Sequence, residues 1–203
     1  MCDVATGVGV VVAAAVGKVA EHGTRSIGSK SGSADVVEAA GVNLEIGPQQ
    51  VAGCVNEIGV GFMFAPLHHS AMKHAIGPRR EMAVRTIFNV LGPLTNPAGA
   101  PNQVLGVFSK DLVEPLAYVL KQLGSEHVLV VNAEDGMDEI SISSPTFVAE
   151  LNDGTVTTYT IQPEDFGMSR ADIGQIRATD SAHSLDIIRN VFDDVAGPAK
   201  DIV

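Results

Sequence analysis

The segment from residue 22 to residue 35, HGTRSIGSKSGSAD, has the composition of a loop that binds an anion. Arg25 and Lys30 supply positive charge, and a helix predicted to open near Ser33 would add its positive N-terminal end. Three glycines allow backbone conformations closed to other residues, so that successive amide groups can point at phosphate oxygens: Gly23, Gly28 and Gly32. A flexible surface loop rich in glycine and serine is the alternative interpretation.

A second cluster of chemically capable residues lies at positions 68–81, HHSAMKHAIGPRRE. Arg79 is its strongest candidate, because a planar guanidinium matches a carboxylate with two parallel hydrogen bonds. A solvated helix residue is the alternative. His68 and His69 are metal ligands by type, but adjacent side chains on a helix point in different directions. A structural or substrate-lining role is therefore favoured for both histidines.

A third candidate is the acidic segment EDGMDE at residues 134–139, which follows a predicted buried strand. Ligands of α/β sheets bind beyond the carboxyl ends of strands. The adjacent carboxylates Asp138 and Glu139 can hold Mg²⁺, which takes one or two protein oxygens and leaves its other positions to water and phosphate. An acidic loop that faces solvent is the alternative.

The elements that must position these residues alternate between helix and strand. The patterns predict helices at 8–16 (a buried one), 34–40, 48–58, 111–123 and 184–193, and strands at 18–20, 61–65, 104–108 and 127–131. Two further strands at 146–151 and 156–161 flank Asn152-Asp153-Gly154, which predicts a hairpin. We therefore expect an α/β fold, a mainly parallel sheet flanked by helices with an antiparallel hairpin insertion.

Charge distribution and cysteine content indicate which class of ligand the protein binds and in which cellular compartment it lies. The net charge of the 203 residues is −11, but residues 1–100 hold seven Lys or Arg against seven Asp or Glu, so the acidic excess lies in the second half. A local cationic cluster suits a small phosphorylated substrate and disfavours nucleic acid. Cys2 and Cys54 make no disulfide framework, and neither a signal peptide nor a membrane span is evident. We expect a cytoplasmic protein.

Four segments, taken in order along the chain, resemble the anthranilate phosphoribosyltransferase family of tryptophan biosynthesis: residues 22–35, 69–85, 86–97 (TIFNVLGPLTNP) and 136–141 (GMDEIS). The resemblance implies transfer of a phosphoribosyl group from phosphoribosyl pyrophosphate to the amino group of anthranilate, with release of pyrophosphate and use of Mg²⁺. It also implies a nucleoside-phosphorylase-like or phosphoribosyltransferase-like catalytic domain over residues 1–203, without most of the N-terminal helical domain or the C-terminal helices. The full-length protein is expected to be a homodimer.

The resemblance also implies roles for individual residues, none of them as a general acid or base. Binding of phosphoribosyl pyrophosphate falls to Thr6, His22, Gly23, Arg25, Ser26, Ser29 and Ser33. Binding of anthranilate falls to Thr24 and Arg79, and binding of the metal to Asp138 and Glu139. Catalysis would then rest on electrostatic support of the leaving pyrophosphate and on positioning of the weakly basic amine.

The chain departs from the family pattern at four positions, Asp3, Ala5, Glu21 and Thr24, where the family has Asn, Ser, Lys and Asn. Asp3 and Glu21 place carboxylates near an anionic substrate, which electrostatics disfavours. The glycine-rich Gly-Thr-Gly-Gly-Asp segment of the family is absent from the sequence. Two alternatives therefore stay open: a catalytically silent fragment or family member that acts as a ligand-binding or interaction module, and a related enzyme that uses another acceptor.

Overall fold

The computed structural model of the chain describes residues 2–26, 31–68 and 88–203, the side chains of residues 88 and 89 excepted. The helices are α1 (Val4–Ala14), α2 (Ser33–Ala39), α3 (Pro48–Ile58), α4 (Ala65–His68), α5 (Phe88–Leu94), α6 (Val113–Gln122), α7 (Ser181–Phe192) and α8 (Pro198–Ile202). The strands are β1 (Val19–Gly23), β2 (Val60–Phe64), β3 (Asn102–Gly106), β4 (His127–Ala133), β5 (Thr146–Asn152) and β6 (Thr155–Ile161). Short 3₁₀ helices occur at Lys110–Leu112, Pro163–Phe166 and Ile173–Ile176.

The chain forms two compact units, the first made of residues 1–89, 176–201 and 203, and the second of residues 90–175 and 202. In the first unit β1 and β2 pair in parallel. Its core joins α2 to β2 through Ala34, Val37 and Phe62, with Leu44 from the connection between α2 and α3. Because α2 is packed on β2 in this way, the segment between β1 and α2 is anchored at both ends.

Helix α1 confirms the predicted helix but not its predicted burial. Gly7 and Gly9 lie on its buried side, whereas Val11 and Val12 are 42% and 41% exposed in the described chain. The helix ends at Ala14, two residues before the predicted end. An uninterrupted apolar run has no polar face to mark its outer side, so the pattern alone cannot say which residues are covered.

The second unit contains a sheet of order β3-β4-β5-β6. β3 and β4 are parallel, whereas the β4–β5 and β5–β6 pairs are antiparallel. The turn of the β5–β6 hairpin has positive φ at Asp153 and Gly154, 48° and 72°, as a two-residue hairpin loop requires. Helix α6 covers the sheet with Leu116, Ala117 and Leu120.

The predicted α/β class is confirmed, with helices on a parallel pair in one unit and on a sheet with an antiparallel hairpin in the other. The strands at 18–20, 61–65, 104–108 and 127–131 are present, although their boundaries differ from the predicted ones by a few residues. No helix of the described residues is long and apolar enough to cross a membrane.

Candidate functional site

The predicted anion loop lies in the first unit between the end of β1 at Gly23 and the start of α2 at Ser33. His22 pairs with Met63 in the parallel register, so the sheet fixes the chain immediately before the loop. His22 and Ser26 are partly buried, whereas Thr24 and Arg25 are exposed. The structure therefore brings six of the predicted ligands into one anchored segment: His22, Gly23, Thr24, Arg25, Ser26 and Ser33.

Gly23 and Gly32 serve close packing in this loop. A Cβ added at Gly23 would lie 2.1 Å from Oγ of Ser33 and 2.8 Å from Cζ of Phe62. One added at Gly32 would lie 2.6 Å from the backbone nitrogen of Ser26. Neither glycine is among the described residues with positive φ. The prediction that these two glycines supply conformations closed to other residues is therefore wrong, because it is the neighbouring atoms that exclude a side chain.

Asp35 draws the two ends of the loop together. Its Oδ2 atom accepts hydrogen bonds from the backbone amides of Ser26 and Gly32, each 2.9 Å long. Burial works to raise the pKa of Asp35, but these amides and the Arg25 guanidinium outweigh it, and the pKa is lowered. Sequence reasoning missed this role. The signal was an acidic residue at the third position of α2, where a carboxylate can cap the amide before the helix.

Arg25 is engaged by carboxylates of the same unit. Its Nη2 atom donates to Oε1 of Glu38 at 2.7 Å, and Nη1 donates to the other oxygen of that carboxylate. Oδ1 of Asp35 lies 3.6 Å from Nη1, and the guanidinium carbon is 5.5 Å from the centre of the Phe64 ring. The hydrogen bonds to Glu38 are the main cause of a raised pKa of Arg25. Arg25 is thus charged, and an anionic ligand must compete with Glu38 for it.

Thr6 lies in the first turn of α1 between two carboxyl groups. Asp3 caps α1 and accepts the Thr6 amide at 3.3 Å. The Thr6 hydroxyl oxygen is 2.7 Å from Oδ2 of Asp3 and 2.7 Å from Oε1 of Glu21 on β1. Burial and the nearby charge of Asp3 raise the pKa of Glu21 to about 7, and burial also raises the pKa of Asp3. Two of the four departures from the family pattern therefore contact a predicted ligand of the donor substrate.

Two predicted ligands, Ser29 and Arg79, lie outside the described residues, as does most of the cluster at 68–81. His68, the last residue of α4, is partly buried. The role of Arg79 at an anthranilate site stays a prediction, and so does that of Ser29 in the anion loop.

The predicted metal pair lies in the second unit, in the loop that follows β4. Asp138 is exposed and Glu139 is partly buried. The backbone of this loop packs on β3, because a Cβ added at Gly106 would lie 1.7 Å from the carbonyl oxygen of Asp138. No three His, Cys, Asp or Glu side chains of the described residues form a group that could hold a metal ion by themselves.

Asp135 organises that acidic loop from within. Its carboxylate accepts the Met137 amide at 3.1 Å, the Ser141 hydroxyl at 2.6 Å and the Ser143 hydroxyl. Burial works to raise the pKa of Asp135, but these donors outweigh it, and the pKa is lowered. Sequence reasoning singled out Asp138 and Glu139 and missed Asp135. The serines at 141, 143 and 144 were the available signal, because hydroxyl groups so close in sequence can satisfy one carboxylate.

One family of protein domains matches the whole chain. Residues 1–203 match the family described as "Glycosyl transferase family, a/b domain". The chain therefore belongs to the α/β-domain family of glycosyl transferases.

The chain is 68% identical over 201 residues to the anthranilate phosphoribosyltransferase of Thioalkalivibrio sulfidiphilus, a match that covers 99% of this chain and 60% of that protein. It is 59% identical over 201 residues to that of Methylococcus capsulatus, at 99% and 59% coverage. The resemblance inferred from the motifs is confirmed. The chain spans about 60% of the length of these curated relatives.

Solved structures agree with this family. The crystal structure of anthranilate phosphoribosyltransferase from Thermus thermophilus superposes with a TM-score of 0.92 at 39% identity, covering 100% of this chain and 60% of that one. The enzyme from Saccharomyces cerevisiae, solved in complex with PRPP and Mg, gives a TM-score of 0.87 at 24% identity, with 98% and 57% coverage. At that identity the yeast structure supports the fold alone.

Proposed function

We propose that this chain is the catalytic α/β part of an anthranilate phosphoribosyltransferase. It would transfer the phosphoribosyl group of phosphoribosyl pyrophosphate to the amino group of anthranilate and release pyrophosphate. The observation that carries the proposal is the anchored loop of residues 22–35, found in a chain that is 68% identical to an enzyme of that name. The Ser26 and Gly32 amides already donate to Asp35, so the loop would offer phosphate groups its hydroxyls and the Arg25 charge.

The donor substrate would lie against the anion loop and the start of α1. His22, Gly23 and Arg25 line the first half of the loop, and Ser33 opens α2. Thr6, Ser26 and Ser29 complete the proposed set. Their task is to hold the phosphates in one position by hydrogen bonds and charge, so that the C1 carbon of the ribose is presented to the acceptor.

Anthranilate would be bound by Thr24 and Arg79, the guanidinium matching its carboxylate. The amino group of anthranilate is a weak base, so placing it in line with the breaking bond is the main help that the protein can give. No side chain is assigned as a general acid or base, since developing charge at the pyrophosphate is met by hydrogen-bond donors and cations.

Asp138 and Glu139 fit a site for Mg²⁺. Asp138 is exposed, so a ligand can reach its carboxylate. The Asp135 carboxylate, in contrast, accepts hydrogen bonds from its own loop. Mg²⁺ takes one or two protein carboxylates and fills its octahedron with water and phosphate oxygens, so a pair of carboxylates is the expected donor set. When bound, Mg²⁺ supplies positive charge that offsets the charge of the departing pyrophosphate. A single-domain organisation, a homodimer and a cytoplasmic location belong to the same proposal.

The test is calorimetric titration of the chain with phosphoribosyl pyrophosphate in the presence of Mg²⁺, together with the loss of anthranilate fluorescence as product forms. Arg25→Ala should weaken donor binding more than anthranilate binding, and Arg79→Ala the reverse. Glu57→Gln, an exposed change on α3, serves as the control. Equal losses of both ligands in both arginine variants would contradict the assigned roles, and no heat at millimolar donor would contradict the proposed enzyme.

A second candidate, a ligand-binding member without turnover, is favoured by one observation. The Thr6 hydroxyl is contacted by the Asp3 and Glu21 carboxyl groups, which repel an anion when ionised. This candidate predicts that the donor binds only weakly and that anthranilate is not consumed in the same experiment. The alternative of another acceptor is distinguished by a screen in which anthranilate is not the preferred amine.

A further inference from the structure

Asp3, Thr6 and Glu21 form a hydrogen-bonded group that bridges α1 and β1. The two carboxyl oxygens lie at the same distance, 2.7 Å, from the single hydroxyl oxygen of Thr6. All three residues are partly buried, and Asp3 is further held by its own amide, which donates to Oγ of Ser184 at 2.9 Å. The geometry is therefore a built arrangement rather than a chance approach of mobile surface side chains.

A threonine hydroxyl has one proton to donate, yet two carboxyl groups lie within hydrogen-bonding distance of its oxygen. If both carboxyl groups were ionised, Thr6 could donate to only one of them. Its oxygen would then lie 2.7 Å from an oxygen of the other carboxylate with no hydrogen between them. A second proton satisfies both contacts, because a neutral carboxyl group donates to Thr6 while Thr6 donates to the other carboxylate. The geometry thus calls for one shared carboxyl proton.

Glu21 is the better holder of that proton. Asp3 caps α1 and accepts its Thr6 amide, so the helix N-terminus favours the ionised form of Asp3. Glu21 lies on β1 beside that negative charge and accepts no such amide in the contacts described. Burial disfavours the ionised form of Glu21, and the nearby charge of Asp3 adds to that cost, so that the pKa of Glu21 is raised to about 7.

The other titratable side chains of the elements packed on α1 and β1 are engaged away from Glu21. His22 follows Glu21 on β1 and points to the opposite face of the strand. β2 has no titratable side chain. The remaining groups and their partners are Asp35 and Glu38 with Arg25, Arg189 with Asp186, His183 with Thr179, and Lys200 with Asp194. Asp3 is thus the charge that acts on Glu21 among the described residues.

We infer that Asp3, Thr6 and Glu21 share one proton and form a pH-dependent gate on anion binding at the start of α1. With the proton present, the group carries one negative charge, and an anion meets the weaker repulsion. When the proton leaves to solvent, two adjacent carboxylates face the same position and compete for the Thr6 hydroxyl. The anion-binding half of this inference rests on the proposed function, whereas the proton sharing does not.

Proton sharing is tested without any ligand, by following the side-chain carboxyl carbon of Glu21 by ¹³C NMR as a function of pH. Glu21 should titrate near pH 7 in the unaltered chain. Asp3→Asn should lower the midpoint, because it removes the neighbouring charge, while burial, the larger cause, keeps it above the ordinary value of 4.5. Glu57→Gln on α3 should leave the midpoint unchanged. A midpoint near 4.5 in the unaltered chain, or one that Asp3→Asn does not move, would overturn the inference.

The gate is tested with phosphoribosyl pyrophosphate and Mg²⁺ by calorimetry at pH 6 and pH 8, in two buffers of different ionisation enthalpy so that proton uptake is counted. Affinity of the unaltered chain should fall from pH 6 to pH 8 about tenfold more than that of Glu21→Gln, which mimics the protonated form. Titration of the ligand itself is common to both proteins and cancels. Equal pH dependence in the two proteins would overturn the gate and leave the proposed function intact. No binding by either would overturn the proposed function and the gate together, while the NMR midpoint still decides proton sharing.

Discussion

The anion loop of residues 22–35 and the acidic loop of residues 134–144 are both held in shape by an internal carboxylate. Each contains a carboxylate that accepts hydrogen bonds from its own loop: Asp35 from two amides, and Asp135 from one amide and two hydroxyls. A glycine at which a side chain would collide with backbone atoms also occurs at each loop: Gly32 lies within the anion loop, and Gly106 of β3 lies against the acidic loop. The carboxylates that shape these loops are therefore different residues from those proposed to meet a ligand.

The two regions differ in what happens to the charges proposed for binding. In the first, the cation of Arg25 is already paired with Glu38 and Asp35. Thr6 of α1, which is proposed to bind the same donor as this loop, has its hydroxyl contacted by two carboxyl groups. In the second, Asp135 is satisfied internally and Asp138 stays exposed. A ligand at the first region must displace internal partners, whereas a cation at the second meets an exposed carboxylate. This contrast makes the first region the sensitive one for affinity and pH.

The largest expected effect comes from Gly106→Ala, which tests whether β3 must lie directly against the acidic loop. The new Cβ would lie 1.7 Å from the Asp138 carbonyl oxygen, so backbone must shift. We expect a loss of about 3 kcal/mol or more in the free energy of unfolding, measured by urea denaturation.

The control for Gly106→Ala is Gly53→Ala within α3, where an added Cβ would have no atom of the described residues within 4 Å beyond its chain neighbours and the backbone of its own helix. That change should be neutral or stabilise by up to about 1 kcal/mol, since alanine is the better helix former. Equal losses in the two variants would mean that the close approach at Gly106 contributes nothing.

A second test uses the raised pKa of Glu21, which makes the stability of the chain depend on pH. Glu21 has a pKa of about 7 in the folded chain and an ordinary value of 4.5, so between these values the folded state binds more protons than the unfolded state. The free energy of unfolding should therefore fall as pH rises from 4.5 to 7, by about 1–3 kcal/mol from this group. Glu21→Gln should abolish that fall in urea titrations at stepped pH, and a fall that persists unchanged would remove Glu21 as its cause.

The elements that bear these loops could be predicted because their signals are local. Apolar periodicity predicted α6, and Asn152-Asp153-Gly154 predicted the hairpin, since both depend on residues within one segment. The Asp35 capping interaction was also readable in principle, because its partners Ser26 and Gly32 lie within ten positions. These features required no knowledge of how distant elements pack.

The contacts that alter the site could not be predicted in the same way. The Glu21 contact with Thr6 depends on α1 lying beside β1, and the Glu38 contact with Arg25 depends on the direction in which α2 leaves the loop. Sequence reasoning identified Glu21 as a departure in charge, but only the geometry places it on the Thr6 hydroxyl. The exposed valines of α1 could not be predicted for the same reason, because an apolar run does not specify which residues are covered by other elements.

A third test compares the two loop-organising carboxylates directly. Asp35→Asn and Asp135→Asn each weaken hydrogen bonds made to a charged oxygen, so each should lower the free energy of unfolding by about 1–2 kcal/mol. Amide exchange measured by NMR should quicken at Ser26 and Gly32 in the first variant and at Met137 in the second. Exposed Asp111→Asn is the control.

The pH dependence of these two carboxylates has the opposite sign to that of Glu21. Both pKa values are lowered by folding, so their contribution is present above the ordinary value of 3.8 and is lost as pH falls through the lower folded value. In the exchange experiment, each substitution should quicken amide exchange in its own loop alone. If it did not, the idea that each carboxylate holds its own loop would be contradicted.

The smallest expected effect tests whether the Glu38 pairing restrains Arg25. Because the pair is exposed, its contribution is weak, and Glu38→Gln should leave stability nearly unchanged. It frees the Arg25 guanidinium from its main partner, so the affinity for phosphoribosyl pyrophosphate should rise, by no more than about fivefold. Calorimetry at low and high salt measures this, with Glu57→Gln removing a negative charge from α3 as the matched control. An equal gain from Glu57→Gln would assign the effect to net charge. It would contradict the idea that pairing with Glu38 keeps Arg25 from an anionic ligand.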